Sequence, residues 1–258
     1  MILCLDVGNS QIHAGVFKGD ALVYQFRAKS SAGESSDQLG VFLRAVLREN
    51  GIDPAAIRHT AICSVVPTGL YSLRAACIKY FGHPPFVLQP GVKTGLKIRY
   101  KNPQEVGADR IANAIAASWL FPEQNRLVVD FGTATTCDVI SDRDEYLGGA
   151  ILPGLKLSME ALQAGTAKLS AVEILKPEQA LGQTTAASIQ SGLYFGHLFA
   201  LKGLLHRLHQ EAFGQQPVTI IGTGGLARLF ADDNLFEHEV PDLVLTGLRL
   251  AFVKNQNL

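Results

Sequence analysis

Net charge is the first thing missing: the 23 lysines and arginines balance the 23 aspartates and glutamates. A surface field that would draw the chain onto nucleic acid or an anionic membrane is therefore not expected. Cysteine is scarce, and Cys4, Cys63, Cys77 and Cys137 form no C-x-x-C pair. Each sits among apolar neighbours, which favours buried reduced thiols over a disulfide framework or a zinc site. No uninterrupted apolar run reaches the roughly 18 residues of a membrane-spanning helix. The opening Met-Ile-Leu-Cys-Leu-Asp lacks the basic-then-apolar pattern of a secretory leader, so a cytoplasmic protein is expected. Also missing is any G-x-x-x-x-G-K-[ST], which excludes a P-loop kinase.

What is present begins with size: 258 residues at 47% hydrophobic composition can bury one large core or two modest ones without metal or disulfide staples. Residues 2–8 read Ile-Leu-Cys-Leu-Asp-Val-Gly, and residues 127–132 read Leu-Val-Val-Asp-Phe-Gly. Both are short aliphatic runs suited to a buried central strand, and both end in Asp-x-Gly. A single Asp-x-Gly is ordinary at a strand-ending turn. Two of them, half a chain length apart, point to a duplicated unit.

Each run is followed by small polar residues, Gly8-Asn9-Ser10 in one case and Gly132-Thr133-Ala134-Thr135-Thr136 in the other, and then turns apolar again at 13–17 and 137–140. The pattern describes a hairpin bent around a ligand. Glycine lets backbone N–H groups approach a phosphate tail, serine and threonine add hydroxyl donors, and Asp6 and Asp130 supply oxygen ligands for its cations. Helical patterns over 35–49, 70–80, 107–120, 155–168 and 185–212 alternate with strand candidates 60–66, 86–88 and 218–221, which implies an α/β fold. A boundary is expected within 107–125, giving domains 1–115 and 116–258.

A third glycine cluster, Gly222-Thr223-Gly224-Gly225, follows the strand candidate 218–221 and precedes a helical Leu226–Phe230, an order suited to nucleotides. It is not a full G-x-G-x-x-G. In Gly107-Ala108-Asp109-Arg110 an acid and a base stand together at a helix start. An aspartate there can serve the helix dipole alone. It can also accept a proton from a substrate hydroxyl while Arg110 holds an anionic group. Lys97, Arg99 and Lys101 are placed to help Arg110 hold an anion, although a solvated edge is the favoured reading for the lysines; His206 and His209 read as surface or interface histidines. The stretch Leu193–Leu208 is apolar on nearly all sides, as a buried or subunit-interface helix would be.

Asp6-Val7-Gly8-Asn9-Ser10, Gly107-Ala108-Asp109-Arg110, Asp130-Phe131-Gly132-Thr133-Ala134-Thr135-Thr136, Gly148-Gly149-Ala150-Ile151-Leu152-Pro153-Gly154 and Gly222-Thr223-Gly224-Gly225 together resemble the type III pantothenate kinases over nearly the whole chain. The resemblance implies two ribonuclease-H-like (actin-like) domains with mixed sheets flanked by helices and an ATP cleft between them. It implies phosphorylation of the primary hydroxyl of pantothenate by ATP, the first step towards coenzyme A. It further implies ATP contacts at Asp6, Val7, Gly8, Asn9, Ser10, Gln11, Ile12, His13 and Thr133, and an adenosine loop in the second domain. Asp109 would be the proton acceptor, and Tyr100, Gly107, Ala108, Asp109, Arg110 and Thr185 would contact pantothenate. Thr184 and Thr185 are separated only by register. Asp130 would bind a monovalent cation, potassium or ammonium; Asp6 would face magnesium, directly or through water. A homodimer is implied, with the helix around Leu193–Leu208 contributing. Ser10 departs from the family's frequent threonine but keeps the hydroxyl. Two other readings share the phosphate loops: another small-molecule kinase of this fold, and a non-catalytic ATP-binding regulatory or assembly protein.

Overall fold

A computed structural model describes residues 1–30, 33–166 and 169–256. The first sheet contains β1 (Ile2–Val7), β2 (Gln11–Lys18), β3 (Ala21–Lys29), β4 (His59–Ser64) and β5 (Phe86–Val87), in the order β3-β2-β1-β4-β5. β1 pairs antiparallel with β2 and parallel with β4. The second contains β6 (Lys97–Ile98), β7 (Asn125–Phe131), β8 (Ala134–Ile140), β9 (Glu145–Pro153), β10 (Val218–Thr223) and β11 (His238–Glu239), in the order β11-β10-β7-β8-β9-β6. β7 pairs antiparallel with β8 and parallel with β10. Apart from β6 at its edge, the second sheet repeats the first strand for strand. The duplication indicated by the two Asp-x-Gly runs is thus a duplication of topology.

Six helices are described: α1 (Ser36–Glu49), α2 (Pro67–Phe81), α3 (Ala108–Leu120), α4 (Leu155–Gly165), α5 (Thr185–Phe213) and α6 (Leu243–Asn255). The first five fall where helical periodicity places them, although residues 167–168 of the expected 155–168 helix lie outside the described residues. The expected helix at Leu226–Phe230 is instead a 3₁₀ segment, Ala227–Asp233. β3, β9, α6 and the two-residue strands β6 and β11 have no counterpart among the elements expected from the sequence. β3 alternates exposed and half-buried residues along its whole length, as an edge strand does, and lacks the aliphatic run that marks β1. α6 is apolar around its circumference and so carries little periodic signal.

Packing divides the chain into two compact units. One comprises Met1–Gly95, Asn102–Ala116 and the segment from Val244 onward; the other comprises Leu96–Lys101 and Ala117–Leu243. The change of unit near residue 116 lies inside α3, but the last helix packs with the beginning of the chain, so the units are not two contiguous stretches. In the first unit Leu3, Leu5 and Val16 of the sheet meet Leu39, Leu43 and Leu47 of α1. Those leucines recur every fourth residue on one helix face, and Ser35 and Gln38 close the helix start with a reciprocal capping box. α6 crosses α3 so closely that a Cβ on Gly247 would stand 1.8 Å from the carbonyl oxygen of Ala112. In the second unit Leu127, Val129, Phe131, Cys137 and Val139 form a core with Leu198 and Leu201 of α5. All four cysteines are buried and free. No helix among the described residues is long and apolar enough to cross a membrane.

Candidate active site

In the first unit, the parallel strands β1 and β4 bring Asp6 opposite Cys63. The carboxyl ends of parallel strands are where ligands collect in open α/β sheets. Beyond Asp6 the chain turns at Gly8, whose N–H donates to the Gln11 carbonyl at 3.0 Å, and Asn9, Ser10 and Gln11 are exposed at the tip. His13, on the return strand opposite Asp6, is buried and its Nε2 hydrogen-bonds Gln25 Oε1 at 3.0 Å.

Asp109 stands in the first turn of α3, where its Oδ1 accepts from the Arg110 backbone N–H at 2.8 Å. Burial pushes its carboxyl pKa up, against the opposing pull of that N–H and of the Arg110 charge. Arg110 itself is 6% exposed. The Cys63 thiol feels both carboxylates: burial first, then the charges of Asp6 and Asp109, raise its pKa well above the usual thiol range, and it hydrogen-bonds Asp6. Gly107 is close to Val65, just past β4, and a Cβ on it would meet Asp109 Oδ1 at 2.5 Å. The structure therefore gathers Asp6, Cys63, Gly107 and Asp109 in one place within the first unit. The sequence marks Cys63 only as a buried thiol; its place in the strand that pairs with the Asp6 strand is the signal that could have found it.

The second unit repeats the arrangement with other chemistry. Asp130 lies between Thr136 of β8 and Thr223 of β10. The turn beyond it is closed by the Gly132 N–H donating to the Ala134 carbonyl at 3.1 Å, with Thr133 exposed at the tip. Gly224 adopts φ +91°, and a Cβ there would stand 2.4 Å from Asp130 Oδ1. Bare backbone thus presses against this carboxylate. The hydroxyl of buried Thr135 shares a 3.0 Å hydrogen bond with His197 Nε2, and burial lowers the pKa of that imidazole and favours its neutral form. Phe131 stacks on Phe230, which stacks on Tyr194, fixing the strand that ends in the loop. Nothing in the sequence singles out His197, which is there one more member of an apolar helix.

Tyr100, half-buried, belongs to the second unit with β6 and lies over Gly148. Thr184 caps α5, its hydroxyl accepting from the Ala187 N–H at 3.1 Å, and Thr185 is exposed in the first turn. Lys97 and Lys101 are exposed, and Arg99 pairs with Glu145 at 2.5 Å. His206 is exposed, and His209 is half-buried with its Nε2 2.6 Å from the Gln216 carbonyl.

Among the described residues no three His, Cys, Asp or Glu side chains form a metal cage. Magnesium needs none, since it is commonly held by one or two carboxylates together with phosphate oxygens and water. Asp6 fits that use. The Asp130 oxygen, set in a surround free of Cβ atoms at Gly224, suits a hard monovalent cation that takes oxygen ligands.

The sequence matches the type III pantothenate kinase family over residues 2–207. A type III pantothenate kinase of Legionella pneumophila (strain Corby) is 59% identical over 255 residues, covering 99% of both chains. One from Elusimicrobium minutum is 48% identical over the full length of both. Among solved structures, a conserved protein proposed as a Baf family transcriptional activator from Campylobacter jejuni superposes with a TM-score of 0.62 at 20% identity, covering 99% of this chain and 100% of that one. A proposed 2-dehydro-3-deoxygalactonokinase from Sinorhizobium meliloti gives 0.59 at 14% identity, covering 100% and 98%. Both structural likenesses concern the fold alone. The chain belongs to the type III pantothenate kinase family.

Proposed function

We propose that this chain transfers the γ-phosphoryl group of ATP to the primary hydroxyl of pantothenate, the first step of coenzyme A synthesis. The observation that carries the reading is the Asp109 carboxylate, half-buried at the start of α3 beside the buried Arg110 and raised in proton affinity, in a chain of this family. A base for a hydroxyl proton gains efficiency as its pKa rises towards the working pH. Asp109 accepts the proton as the pantothenate oxygen attacks phosphorus. Arg110 anchors the pantothenate carboxylate, and Gly107 and Ala108 bring backbone close to the same molecule. Tyr100 and Thr185 complete the pantothenate contacts. The engagement of the Thr184 hydroxyl as a helix cap supports Thr185 over its neighbour.

Residues Asp6 to His13 hold the phosphates through the N–H groups and hydroxyls of the exposed tip, and Thr133 contacts ATP from the second loop. Kinases of this kind take ATP with a divalent metal. Here we assign magnesium, with Asp6 as its protein contact, directly or through water. Asp130 holds potassium or ammonium. These ions supply charge that offsets the phosphates, while the protein's part is chiefly positioning. The proposed domains 1–115 and 116–258 carry the first and second loops respectively, with 96–101 packing in the second unit and the last helix in the first.

A homodimer is assigned as well, supported by the exposed Phe199 stacked on Phe195 along α5. Sedimentation at micromolar concentration should show a dimer, and a monomer alone would remove that assignment. Function is tested by incubating the protein with ATP, magnesium and pantothenate and identifying products by mass spectrometry. Pantothenate carrying one phosphoryl group is expected. Folded, ATP-binding protein that leaves pantothenate unmodified would overturn the reading.

A further inference from the structure

One face of the second sheet packs into the core through Val129, Phe131, Cys137 and Val139. By the alternation of strands, Asp130, Thr136 and Asp138 share the other face, with Asp130 and Thr136 directly opposite each other. Asp138 is fully buried. It accepts a hydrogen bond on Oδ1 from the Tyr146 hydroxyl at 2.6 Å and one on Oδ2 from the Thr136 hydroxyl at 3.3 Å.

Tyr146 reaches Asp138 only because of an irregularity. In the β8–β9 register Asp138 faces Gly149 and Val139 faces Gly148, but Ile140 then faces Tyr146, so Leu147 is the extra residue. A one-residue bulge moves the following side chains to the opposite face. Without it, Tyr146 would point into the core and away from the carboxylate. With it, Tyr146 is fully buried, and its ring lies 6.3 Å from that of Tyr100 at 50°. Backbone pairing reinforces the contact: Ile98 pairs with Tyr146, and the Arg99 N–H donates to the Tyr146 carbonyl at 2.8 Å.

We propose that Asp138 and Tyr146 are positioning residues that fix the Tyr100 ring and thereby set the affinity for pantothenate. The proposal rests on the pantothenate reading above. Asp138 anchors the Tyr146 hydroxyl, Tyr146 backs the Tyr100 ring, and Thr136, which pairs with Asp130 across the strands, donates to the same carboxylate. A purely structural buried pair would affect folding alone, so the test must read substrate affinity.

The experiment is steady-state kinetics on the full chain for the wild type, Tyr146→Phe, Tyr100→Ala and the double variant, with each substrate varied in turn. Tyr146→Phe removes one oxygen and keeps the ring. It should raise the pantothenate KM about fivefold while the ATP KM stays within about twofold, and in the Tyr100→Ala background it should add nothing, as coupled neighbours behave. An unchanged pantothenate KM in Tyr146→Phe, or effects that multiply in the double variant, would overturn the proposal. Should Tyr146→Phe fail to fold, Asp138→Asn keeps a weaker acceptor for the phenol and should raise the same KM about threefold; no rise would overturn it equally. Wild-type protein without pantothenate-dependent turnover would remove the functional reading and this proposal together, whereas wild-type turnover with an insensitive Tyr146→Phe removes only the proposal.

Discussion

The two Asp-x-Gly loops occupy equivalent places in two sheets of the same topology, yet their surroundings diverge. Asp6 has His13 on its antiparallel side and Cys63 on its parallel side; Asp130 has Thr136 and Thr223 in the same two places. The first loop thus faces a buried thiol and a second carboxylate, Asp109. The second faces hydroxyls and the bare backbone of Gly224. Duplicated topology supplies a turn with an exposed tip in both units, and the flanking strands decide what else it can do. The raised proton affinity of Asp109 suits a proton acceptor beside the first loop, whereas Asp130 is flanked by threonines on both neighbouring strands.

Removing the base would break this contrast most sharply. Asp109→Asn should lower kcat by about 10² to 10⁴ while ATP binding, followed by titration, survives. Turnover near the wild-type rate would refute its role. The same variant should be more stable than the wild type at neutral pH. Because the folded-state pKa of Asp109 is raised, the folded protein binds the proton more tightly than the unfolded chain, and stability falls as pH rises from the ordinary carboxylate range through that raised value. Asparagine carries no such penalty, so its melting temperature should exceed the wild type's at pH 7 and converge with it in acid.

Arg110→Ala comes next, with a pantothenate KM at least about tenfold higher, the scale of a lost hydrogen bond to a charged group. An unchanged KM would place the pantothenate carboxylate elsewhere. Asp130→Asn tests the other loop: the advantage of potassium over sodium should vanish, with a loss of up to about tenfold in potassium. A potassium response that persists would mean that the cation is held without this carboxylate.

The smallest effect on turnover is expected from Gly247→Ala, which touches neither loop. Its Cβ would collide with the Ala112 carbonyl, and overpacking of this kind costs about 1–3 kcal/mol or more. A melting temperature lower by several degrees should follow, while the KM values change little.

Much of this contrast is legible in the amino-acid sequence. The paired Asp-x-Gly runs announce the duplication because they are aliphatic, short and end in turn residues, all local signals. Asp109 and Arg110 are legible for the same reason, standing at a helix start. Cys63 and His197 are not, because their positions beside Asp6 and Thr135 arise from pairing and packing between distant segments. The bulge that turns Tyr146 toward Asp138 is equally invisible, since the adjacent Tyr146 and Leu147 are both large and largely apolar and no polar residue marks the change of face. α6 escapes because an all-round apolar helix has no periodic face, and its packing with the first unit is a long-range contact.

The most direct measurement is ADP release by purified protein supplied with ATP and magnesium, with and without pantothenate, in potassium and again in sodium. Release that requires pantothenate and is faster in potassium is the predicted result. Folded protein that releases no more ADP with pantothenate than without it, in either salt, would contradict it.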